Sequence, residues 1–377
     1  MNPIYLDCNA TTPLDPEVRE VLMYYLNEEY GNEGSRTHVF GARAKQAVQK
    51  ARDQIADIVS CKREEVIFTS GATESNNLAI LGLREVGRKE NRMHVITSAI
   101  EHKAVLVPCK ELEKDGFEVT VLPVSAGGFV KPDAVRLALR PDTLLVSVMQ
   151  ANNETGIRQP LDEIAKILCN HNAYFHTDAA QGFGKDIEPL RNPRIDLISI
   201  SGHKIYAPKG VGVLIMRRRG YELPPIRALM FGGGQERGFR SGTLPVALIA
   251  ALGKSSEIAL RDNSKRRQKC RIVREKAIES LAALNPRLTG EQSLVMDHVL
   301  NFSFPGMDSE ALMVVLKDMI AISNGSACTS SSYTPSHVLR EMGMTDDEAN
   351  ACVRISWCHL TPEIDWVAVA DKIRTMR

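Results

Sequence analysis

Lys204 lies in a stretch whose residue types suit covalent catalysis by an amine. The stretch LISISGHKIYAPKG, residues 197–210, is an apolar run of strand character that stops at Ser-Gly-His-Lys. Such a run indicates a buried strand that delivers side chains to the carboxyl edge of a sheet, where α/β folds bind ligands. Partial burial would lower the pKa of a lysine from about 10.4 and make its amine available for a Schiff base. A lone lysine is more often solvated, so this interpretation depends on its neighbours.

A second group of residues could bind a phosphate. Gly71, Ala72 and Thr73 lie between the strand-like run VIFTS and the helix that begins with TESNN. Backbone amides and a hydroxyl would therefore meet at a helix N-terminus, which favours anions. The alternative is an ordinary helix cap made by Ser70 and Thr73.

Four polar side chains follow other predicted strands. Asp178 ends the run AYFHTDA, where a carboxylate would hold a protonated pyridine nitrogen and so make pyridoxal 5'-phosphate an electron sink. His102 would cover the ring face, and Asn153 or Gln181 would bond the ring oxygen. Taken singly, Asn153 is also a common turn former and His102 an ordinary first-turn helix residue. Together with the lysine and the phosphate cup, these residues predict a pyridoxal-phosphate site.

Cys328 is the strongest nucleophile in SNGSACTSSSYTP, residues 323–335, which has the composition of a flexible loop. An unstructured loop of this length spans roughly 20 Å, enough to move between a buried cofactor and a surface partner. An unperturbed thiol is only about 3% ionised at pH 7, so we expect help from the cleft, such as proton transfer to His102. An idle loop cysteine is the alternative.

The elements that must position these residues alternate between strands and helices. Strand-like runs are predicted at 66–70, 94–100, 117–124, 144–149, 173–179, 197–201 and 210–216. This alternation predicts an α/β fold with a mostly parallel sheet covered by helices. After about residue 216 the pattern changes to a Gly-rich crossing, a long helix at 248–280 and shorter mixed elements. We therefore expect a large domain at 14–260 and a smaller α/β domain formed by 1–13 and 261–377.

Composition excludes several classes of protein. The 377 residues are 44% hydrophobic and 25% charged, with a net charge of +1, so there is no electrostatic case for binding nucleic acid or an anionic membrane. No signal peptide and no membrane-length apolar run is apparent, which predicts a cytoplasmic protein. The eight cysteines lack paired or metal-ligand spacing, so neither a disulfide framework nor a metal site is predicted.

The motifs in chain order resemble the cysteine desulfurases of the NifS and IscS type, which are fold-type I pyridoxal-phosphate enzymes of the class V aminotransferase family. The resemblance covers almost the whole chain, and the matching motifs are YLDCNATTP, GNEGSRTH, SGATESNN, the Glu101-His102 pair, NNETG, HTDAAQ, SGHKIYAPKG, FRSGT and GSACTS.

The resemblance implies a role for each matched residue. Lys204 would form the Schiff base with the cofactor, Asp178 would pair with the pyridine nitrogen, and His102 would stack on the ring. Thr73, Ser201 and His203 would bind the phosphate, and Thr243 would reach the phosphate of the neighbouring subunit in a homodimer.

Site and resemblance together predict the reaction. L-cysteine, held by Arg354 with help from Asn153, would lose its Cα proton to Lys204. Cys328 would then take the substrate sulfur as a persulfide and leave alanine. A protein acceptor would receive this sulfur.

Three departures from the family pattern bear on the details. The chain has Gly31-Asn32-Glu33 where GNP is common, and Ser356-Trp357-Cys358-His359 where a small Gly-containing sequence is common. Trp357 would therefore narrow the substrate carboxylate site beside Arg354. Little chain follows the terminal helix, which suggests a specialised acceptor in DNA sulfur modification or tRNA thiolation rather than an iron-sulfur scaffold.

Two rival functions remain open at the level of the sequence. The nearer one is a selenocysteine lyase or an aminotransferase-like enzyme on the same fold, against which the long SACTSSS loop argues. The more distant one is a non-catalytic sulfur carrier or scaffold, against which Lys204, Asp178 and Cys328 argue. A nicotinamide oxidoreductase is poorly supported because no GxGxxG follows the early strands.

Overall fold

A computed structural model describes residues 2–324 and 335–376 of the chain. Cys328 and residues 325–334 of its predicted loop lie outside these ranges. Within the described residues, the main sheet has seven strands, which in spatial order are Val66–Thr69, Gly212–Met216, Leu197–Ser201, Tyr174–Asp178, Thr143–Ser147, His94–Ser98 and Glu118–Leu122. All neighbours are parallel except those of Gly212–Met216, which runs antiparallel to both of its partners. The predicted mostly parallel α/β sheet is therefore confirmed.

Both faces of the sheet are buried. In strand Leu197–Ser201, Leu197 packs in one apolar core while Ile198 and Ile200 pack in the other. This alternation follows from the pleat, which directs successive side chains to opposite faces. The strands therefore read as continuous apolar runs, and only their ends are free to carry polar chemistry.

Helices surround the sheet and extend beyond it. Asp15 caps the first helix by accepting a hydrogen bond from the Glu17 amide at 3.0 Å, with Pro16 at the first helical position. The α-helices of the described residues are Pro16–Asn27, Val39–Val59, Ala72–Leu81, Arg84–Glu90, Lys103–Lys114, Pro132–Ala138, Leu161–Ile167, Val246–Arg261, Asn263–Leu281, Ser309–Leu316, His337–Glu341, Asp346–Asn350 and Trp366–Arg374.

The prediction of one long helix over 248–280 is wrong in one respect. The structure has two helices, Val246–Arg261 and Asn263–Leu281, which are separated at Asp262. Asp262 leaves the helical region, with φ −107° and ψ 10°. The break lets the second helix leave the main sheet and pack against Trp366–Arg374.

A second apolar core lies among the later elements and the start of the chain. Strands Val299–Ser303, Cys352–Ser356 and Arg287–Leu288 form an antiparallel sheet, and Ile4–Tyr5 pairs in parallel with Ile320–Ala321. Asp7 forms a further parallel bridge with Ser356. The first residues of the chain are thereby fixed beside strand Cys352–Ser356, close to the carboxyl edge of the main sheet.

Candidate active site

One cavity of about 380 Å³ lies at the carboxyl edge of the main sheet. It is lined by ten of the residues predicted from the sequence, which are Ala72, Thr73, His102, Asn153, Asp178, Gln181, Ser201, His203, Lys204 and Arg354. These residues come from distant parts of the chain, and the sheet brings them together because parallel strands end at one edge.

Lys204 is delivered to the cavity by a single helical turn, Gly202–Lys204, directly after the buried strand. Its Nζ atom donates hydrogen bonds to the backbone carbonyl oxygens of Asn9 and Ala10, the latter at 2.8 Å. In the same segment, the Thr12 hydroxyl accepts a hydrogen bond from the Tyr206 amide at 2.8 Å. Residues near the start of the chain therefore orient the amine, a role that sequence patterns did not reveal.

The N-terminus of helix Ala72–Leu81 forms the other end of the cavity. Gly212 lies directly beneath the preceding turn, because a Cβ atom there would come within 2.5 Å of the Gly71 Cα atom. The absence of a side chain at Gly212 thus lets the helix start close to Ser201 and Lys209, which also line the cavity. Backbone amides, a hydroxyl and a lysine at this end suit an anionic group.

His203 faces the same end of the cavity as a neutral imidazole. Burial, together with the positive charges of Lys204 and Lys209, lowers its pKa to about 4. Its Nδ1 atom lies 3.1 Å from the Thr11 hydroxyl. The ring nitrogens can therefore exchange hydrogen bonds near an anion without adding a formal charge.

Asp178 is held as a buried acceptor at the centre of the cavity. Its Oδ2 atom accepts a hydrogen bond from Asn76 Nδ2 at 2.7 Å, and its Oδ1 atom accepts one from the Ala180 amide at 2.9 Å. The side chain is only 5% exposed. Asn76 belongs to the SNN stretch of a helix and was not recognised from the sequence.

Two buried oxygens beside Asp178 have no hydrogen-bond partner in the described part of the chain: Asn76 Oδ1 and Gln181 Oε1. Gln181 uses its Nε2 atom to donate to the Asn9 carbonyl at 2.9 Å, which fixes its orientation. Buried acceptors are rarely left unsatisfied in native proteins. Their presence next to a carboxylate fits a bound group that brings hydrogen-bond donors, such as a protonated ring.

His102 caps helix Lys103–Lys114 and faces the cavity. Its Nδ1 atom accepts a hydrogen bond from the Ala104 amide at 3.1 Å, so in the neutral ring the proton is on Nε2. Burial lowers the pKa of His102, while Asp178 opposes this shift. The imidazole is thus oriented as a neutral ring whose Nε2–H group is free to donate a hydrogen bond.

Glu101 is fully buried behind His102 and was not assigned a role from the sequence. Its Oε1 atom accepts hydrogen bonds from the Ser98 hydroxyl at 2.5 Å and the Met149 amide at 2.8 Å. Burial raises its pKa to about 8, against the lowering effect of these two hydrogen bonds. The side chain is therefore a neutral acid at pH 7 that ties two strand ends together.

Arg354 lies in strand Cys352–Ser356 and is 3% exposed. Its guanidinium donates hydrogen bonds to Asp7 Oδ1, to the Ser323 hydroxyl at 2.9 Å and to the Asn153 carbonyl oxygen at 3.0 Å. Its Nε atom has no partner among the described residues. The arginine is therefore held rigidly at the cavity wall with bonding capacity to spare.

The prediction that Trp357 narrows the substrate site is wrong. Its side chain is fully buried in the second apolar core and donates from Nε1 to the Cys270 carbonyl oxygen at 2.9 Å. It does not line the cavity, because strand alternation directs it away from Arg354.

One predicted residue of the described ranges is not part of this cavity wall. Thr243 is exposed and lies outside the lining of the cavity. Cys328 lies outside the described residues. Within the described ranges, no group of three His, Cys, Asp or Glu side chains could hold a metal ion, and no helix could cross a membrane.

The cavity has the features of a fold-type I enzyme site: a lysine after a strand, a hydrogen-bonded carboxylate, a neutral histidine and an anion-binding helix N-terminus. Comparison with known proteins agrees with this assignment. The aminotransferase class-V family model matches residues 4–365. Human cysteine desulfurase is 44% identical over 367 residues, which cover 96% of this chain and 79% of the human protein.

Two solved structures share the fold. DndA from Streptomyces lividans superposes with a TM-score of 0.83 and 47% identity, and covers 93% of this chain and 98% of that protein. The structure of SspA in complex with cysteine gives a TM-score of 0.81 and 36% identity, and covers 96% and 99% of the two chains.

The chain belongs to the aminotransferase class-V family, whose members depend on pyridoxal phosphate, and within that family to the cysteine desulfurases. It is an enzyme that transfers sulfur from cysteine to an acceptor. The resemblance noted in its motifs is confirmed.

Proposed function

We propose that this protein desulfurates L-cysteine at the cavity around Lys204, with pyridoxal 5'-phosphate as cofactor and Cys328 as the sulfur acceptor. The observation that carries the proposal is the convergence of Lys204, Asp178 and His102 on one cavity. No single one of these residues is specific, but an amine, a carboxylate and a histidine at an anion-binding helix start are the set that this cofactor needs.

The lining residues fit the cofactor from one end to the other. The helix start at Ala72 and Thr73, with Ser201 and His203, would hold the phosphate. Asp178 would pair with the ring nitrogen. His102 would cover the ring face, Asn153 or Gln181 would bond the ring oxygen, and Lys204 would attach the cofactor covalently. When bound, the cofactor supplies an electron-withdrawing ring that stabilises negative charge at the substrate Cα.

The substrate would enter on the side of Arg354. The buried guanidinium would bind its carboxylate, aided by Asn153, since arginine presents donors in the geometry of a carboxylate. Support for cysteine as the ligand comes from SspA, which was solved in complex with cysteine. Lys204 would then take the Cα proton, because its amine lies in the same cavity.

Cys328 would complete the reaction. Its thiolate would attack the substrate sulfur, so that a sulfur–sulfur bond forms and the carbon–sulfur bond breaks. The products are alanine and a persulfide on Cys328, which an acceptor protein removes. Burial lowers the pKa of His102 and keeps its ring neutral, and with the proton on Nε2 the ring would donate a hydrogen bond to the sulfur rather than take a proton.

The Cys328→Ser variant tests this assignment. We expect it to bind cysteine and change the cofactor absorbance but to release no alanine in steady turnover. Cys169→Ser, at an exposed free cysteine, is the matched control and should keep its activity. Normal alanine production by Cys328→Ser would refute the role of Cys328 while leaving the cofactor site intact.

Borohydride reduction tests the attachment site separately. Peptide mapping should find the reduced cofactor on Lys204. Lys209 lines the same cavity and provides an internal control, since attachment there would contradict the proposed role of Lys204.

We further propose that the enzyme is a homodimer in which Thr243 contributes to the partner's phosphate site. Thr243 is exposed, and nearby Phe231 and Met230 are 79% and 47% exposed. Gly232 packs against Ser241, so these two segments adjoin. Exposed apolar side chains of this kind mark interaction surfaces. Light scattering should give twice the chain mass, and a monomeric mass for the active holoenzyme would contradict the proposal.

A reducing compartment such as the cytosol suits this chemistry, because thiols there stay reduced. The cysteines of the described residues are all free. The acceptor in DNA sulfur modification or tRNA thiolation stays a prediction. Binding assays against candidate acceptors test it, and tight binding to an iron-sulfur scaffold would count against it.

A further inference from the structure

Cys8 and Cys358 bring two buried thiols together outside the cavity. The Cys8 amide donates to the Ser356 carbonyl oxygen at 3.0 Å, and this pairing sets the start of the chain beside the residues that follow strand Cys352–Ser356. The two side chains pack with Tyr206 in one small cluster and are 1% and 3% exposed. Each side chain is the largest influence on the pKa of the other, as expected for two thiols that lie close together.

The surroundings of Cys358 favour its thiolate. The Thr361 hydroxyl accepts a hydrogen bond from the Cys358 amide at 2.9 Å and donates one to the Cys358 Sγ atom at 3.7 Å. Hydrogen bonds from Cys8 and from the backbone at Leu360 add to this effect and lower the pKa of Cys358 to about 6, against the effect of burial. The same contact raises the pKa of Cys8, which stays protonated. The pair therefore consists of one nucleophilic sulfur and one thiol.

Lys185 supplies a positive charge beside the pair. Its side chain is buried, its Nζ atom lies 3.2 Å from His298 Nε2, and burial lowers its pKa to about 8. The groups that oppose this shift are the sulfurs of Cys8, Cys270 and Cys358. A buried ammonium needs a counter-charge, and a thiolate in this cluster provides one.

A small cavity adjoins this cluster at Tyr206. It has a volume of about 30 Å³ and is lined by Lys185, Tyr206, Cys270 and His298, with the partly exposed Arg267 at its edge. A space of this size holds one or two molecules as small as water. Hydrogen peroxide is little larger than water, so it would fit in this cavity, which is lined by Cys270 and Tyr206 but not by Cys8 or Cys358.

We propose that Cys8 and Cys358 form a thiol-oxidation site that a hydroperoxide converts to a disulfide. The Cys358 thiolate attacks one peroxide oxygen, so that a sulfur–oxygen bond forms, the oxygen–oxygen bond breaks and hydroxide or alkoxide leaves. The Cys8 sulfur then attacks the oxidised Cys358 sulfur and displaces hydroxide, which the Cys8 proton converts to water. In total, two thiols and one hydroperoxide give one disulfide, one water and one alcohol or second water.

The disulfide would join two segments that both reach the active-site cavity. Cys8 directly precedes Asn9, whose carbonyl oxygen accepts from Lys204, and Cys358 follows the strand that carries Arg354. Neither cysteine lines that cavity itself. The inference therefore stands whether or not Cys328 has the role proposed above.

Mass spectrometry of the full-length holoenzyme tests the proposal. The Cys328→Ser variant removes the competing thiol, and the enzyme is treated with hydrogen peroxide before free thiols are alkylated in denaturant. Trypsin then places Cys8 on a peptide ending at Arg19 and Cys358 on a peptide beginning after Arg354. We expect these two peptides to be joined, with a mass loss of about 2 Da relative to the thiol forms, and to separate after reduction. Full alkylation of both cysteines, or joining of either to Cys270 instead, would overturn the pairing.

The Cys8→Ser variant, made in the same background, tests the order of attack. Without a second thiol, the oxidised Cys358 should persist and react with a 1,3-dione probe. A dione adduct on Cys270 in place of Cys358 would contradict the assignment of the nucleophile. Cys270→Ser is the matched control, because it removes a neighbouring buried thiol and should leave the joined peptides unchanged.

Discussion

Asn76 Nδ2 donates a hydrogen bond to Asp178 Oδ2 at 2.7 Å, and both side chains are buried. Asn76→Ala would remove this donor from a carboxylate that has one other donor in the described residues, the Ala180 amide. Hydrogen bonds to charged groups contribute about 1.5–3 kcal/mol. If Asp178 holds the cofactor ring, we expect roughly 10- to 100-fold weaker cofactor retention, measured by absorbance after dialysis.

Asn77→Ala is the control for this change. Asn77 is on the same helix and donates to the Thr73 carbonyl oxygen near the surface. Its substitution should alter helix stability slightly and retention much less. Equal losses in the two variants would show that Asn76 acts through the helix and not through Asp178.

A second prediction concerns the pH dependence of stability at Glu101. Its pKa is about 8 in the folded protein and about 4.5 when exposed in the unfolded chain. Between these values the folded state keeps a proton that the unfolded state has lost, so the free energy of unfolding falls as pH rises. Glu101→Gln removes this titration. We therefore expect the stability of the wild type relative to the variant to decrease steadily from pH 5 to pH 8 in denaturant melts.

Glu113→Gln, at an exposed position on the helix after His102, provides the comparison. It should show no trend relative to wild type across the same range. A flat difference for Glu101→Gln would mean that Glu101 is ionised in the folded protein.

The third prediction concerns the contact between Asp7 and Arg354. Asp7→Asn weakens the partner that fixes the guanidinium, whose other partners are neutral. Because Arg354 is proposed to bind the substrate carboxylate, we expect KM for cysteine to rise about tenfold, equivalent to about 1.4 kcal/mol, with a smaller change in kcat. Steady-state kinetics with alanine detection measures both constants.

Asp133→Asn removes a carboxylate whose ion pair with Arg136 is exposed, and it should leave both constants unchanged. A fall in kcat without a change in KM for Asp7→Asn would count against a positioning role for Asp7. It would point to an effect on Lys204 through the adjoining segment.

A fourth prediction follows from the close approach at Gly212. An added methyl group would meet Gly71 Cα and the Ile200 carbonyl oxygen at 2.5 Å, and neither backbone can move without displacing a buried strand. Overpacking of this kind costs about 1–3 kcal/mol. Gly212→Ala should therefore lower the unfolding temperature and move the helix start at Ala72, with weaker phosphate binding as a second readout.

At Gly34 an added methyl group would meet only the Asn32 side chain, at 3.3 Å. Gly34→Ala should therefore be tolerated. An unchanged unfolding temperature for Gly212→Ala would show that the turn at Gly71 can relax.

The sequence was informative wherever chemistry follows a buried strand. Asp178 ends one buried strand and Lys204 lies on the turn that follows another, so their meeting at one edge could be expected from the parallel sheet alone. Glycine spacing does not distinguish Gly212 from Gly210, although only Gly212 lies against another backbone. The break at Asp262 has no glycine or proline to mark it.

Contacts made by the backbone or across long separations could not be predicted. The carbonyl oxygens of Asn9 and Ala10 orient Lys204, but a carbonyl leaves no mark on residue type. Asp7 meets Arg354 across 347 positions, and nothing local to either residue signals the other. Trp357 was misassigned because successive side chains along a strand point to opposite faces. Which face meets the cavity depends on a register that is fixed by pairing with Val299–Ser303.

The pairing of Asp7 with Ser356 sets the time at which the cavity can be completed during synthesis. The ribosome releases the first residues early, but their partners emerge only after most of the chain has been made. Until then, the amine of Lys204 lacks the carbonyl oxygens that orient it. We therefore expect a nascent chain to acquire its cofactor only after strand Cys352–Ser356 has emerged, so that products truncated before it cannot retain a reactive vitamin derivative.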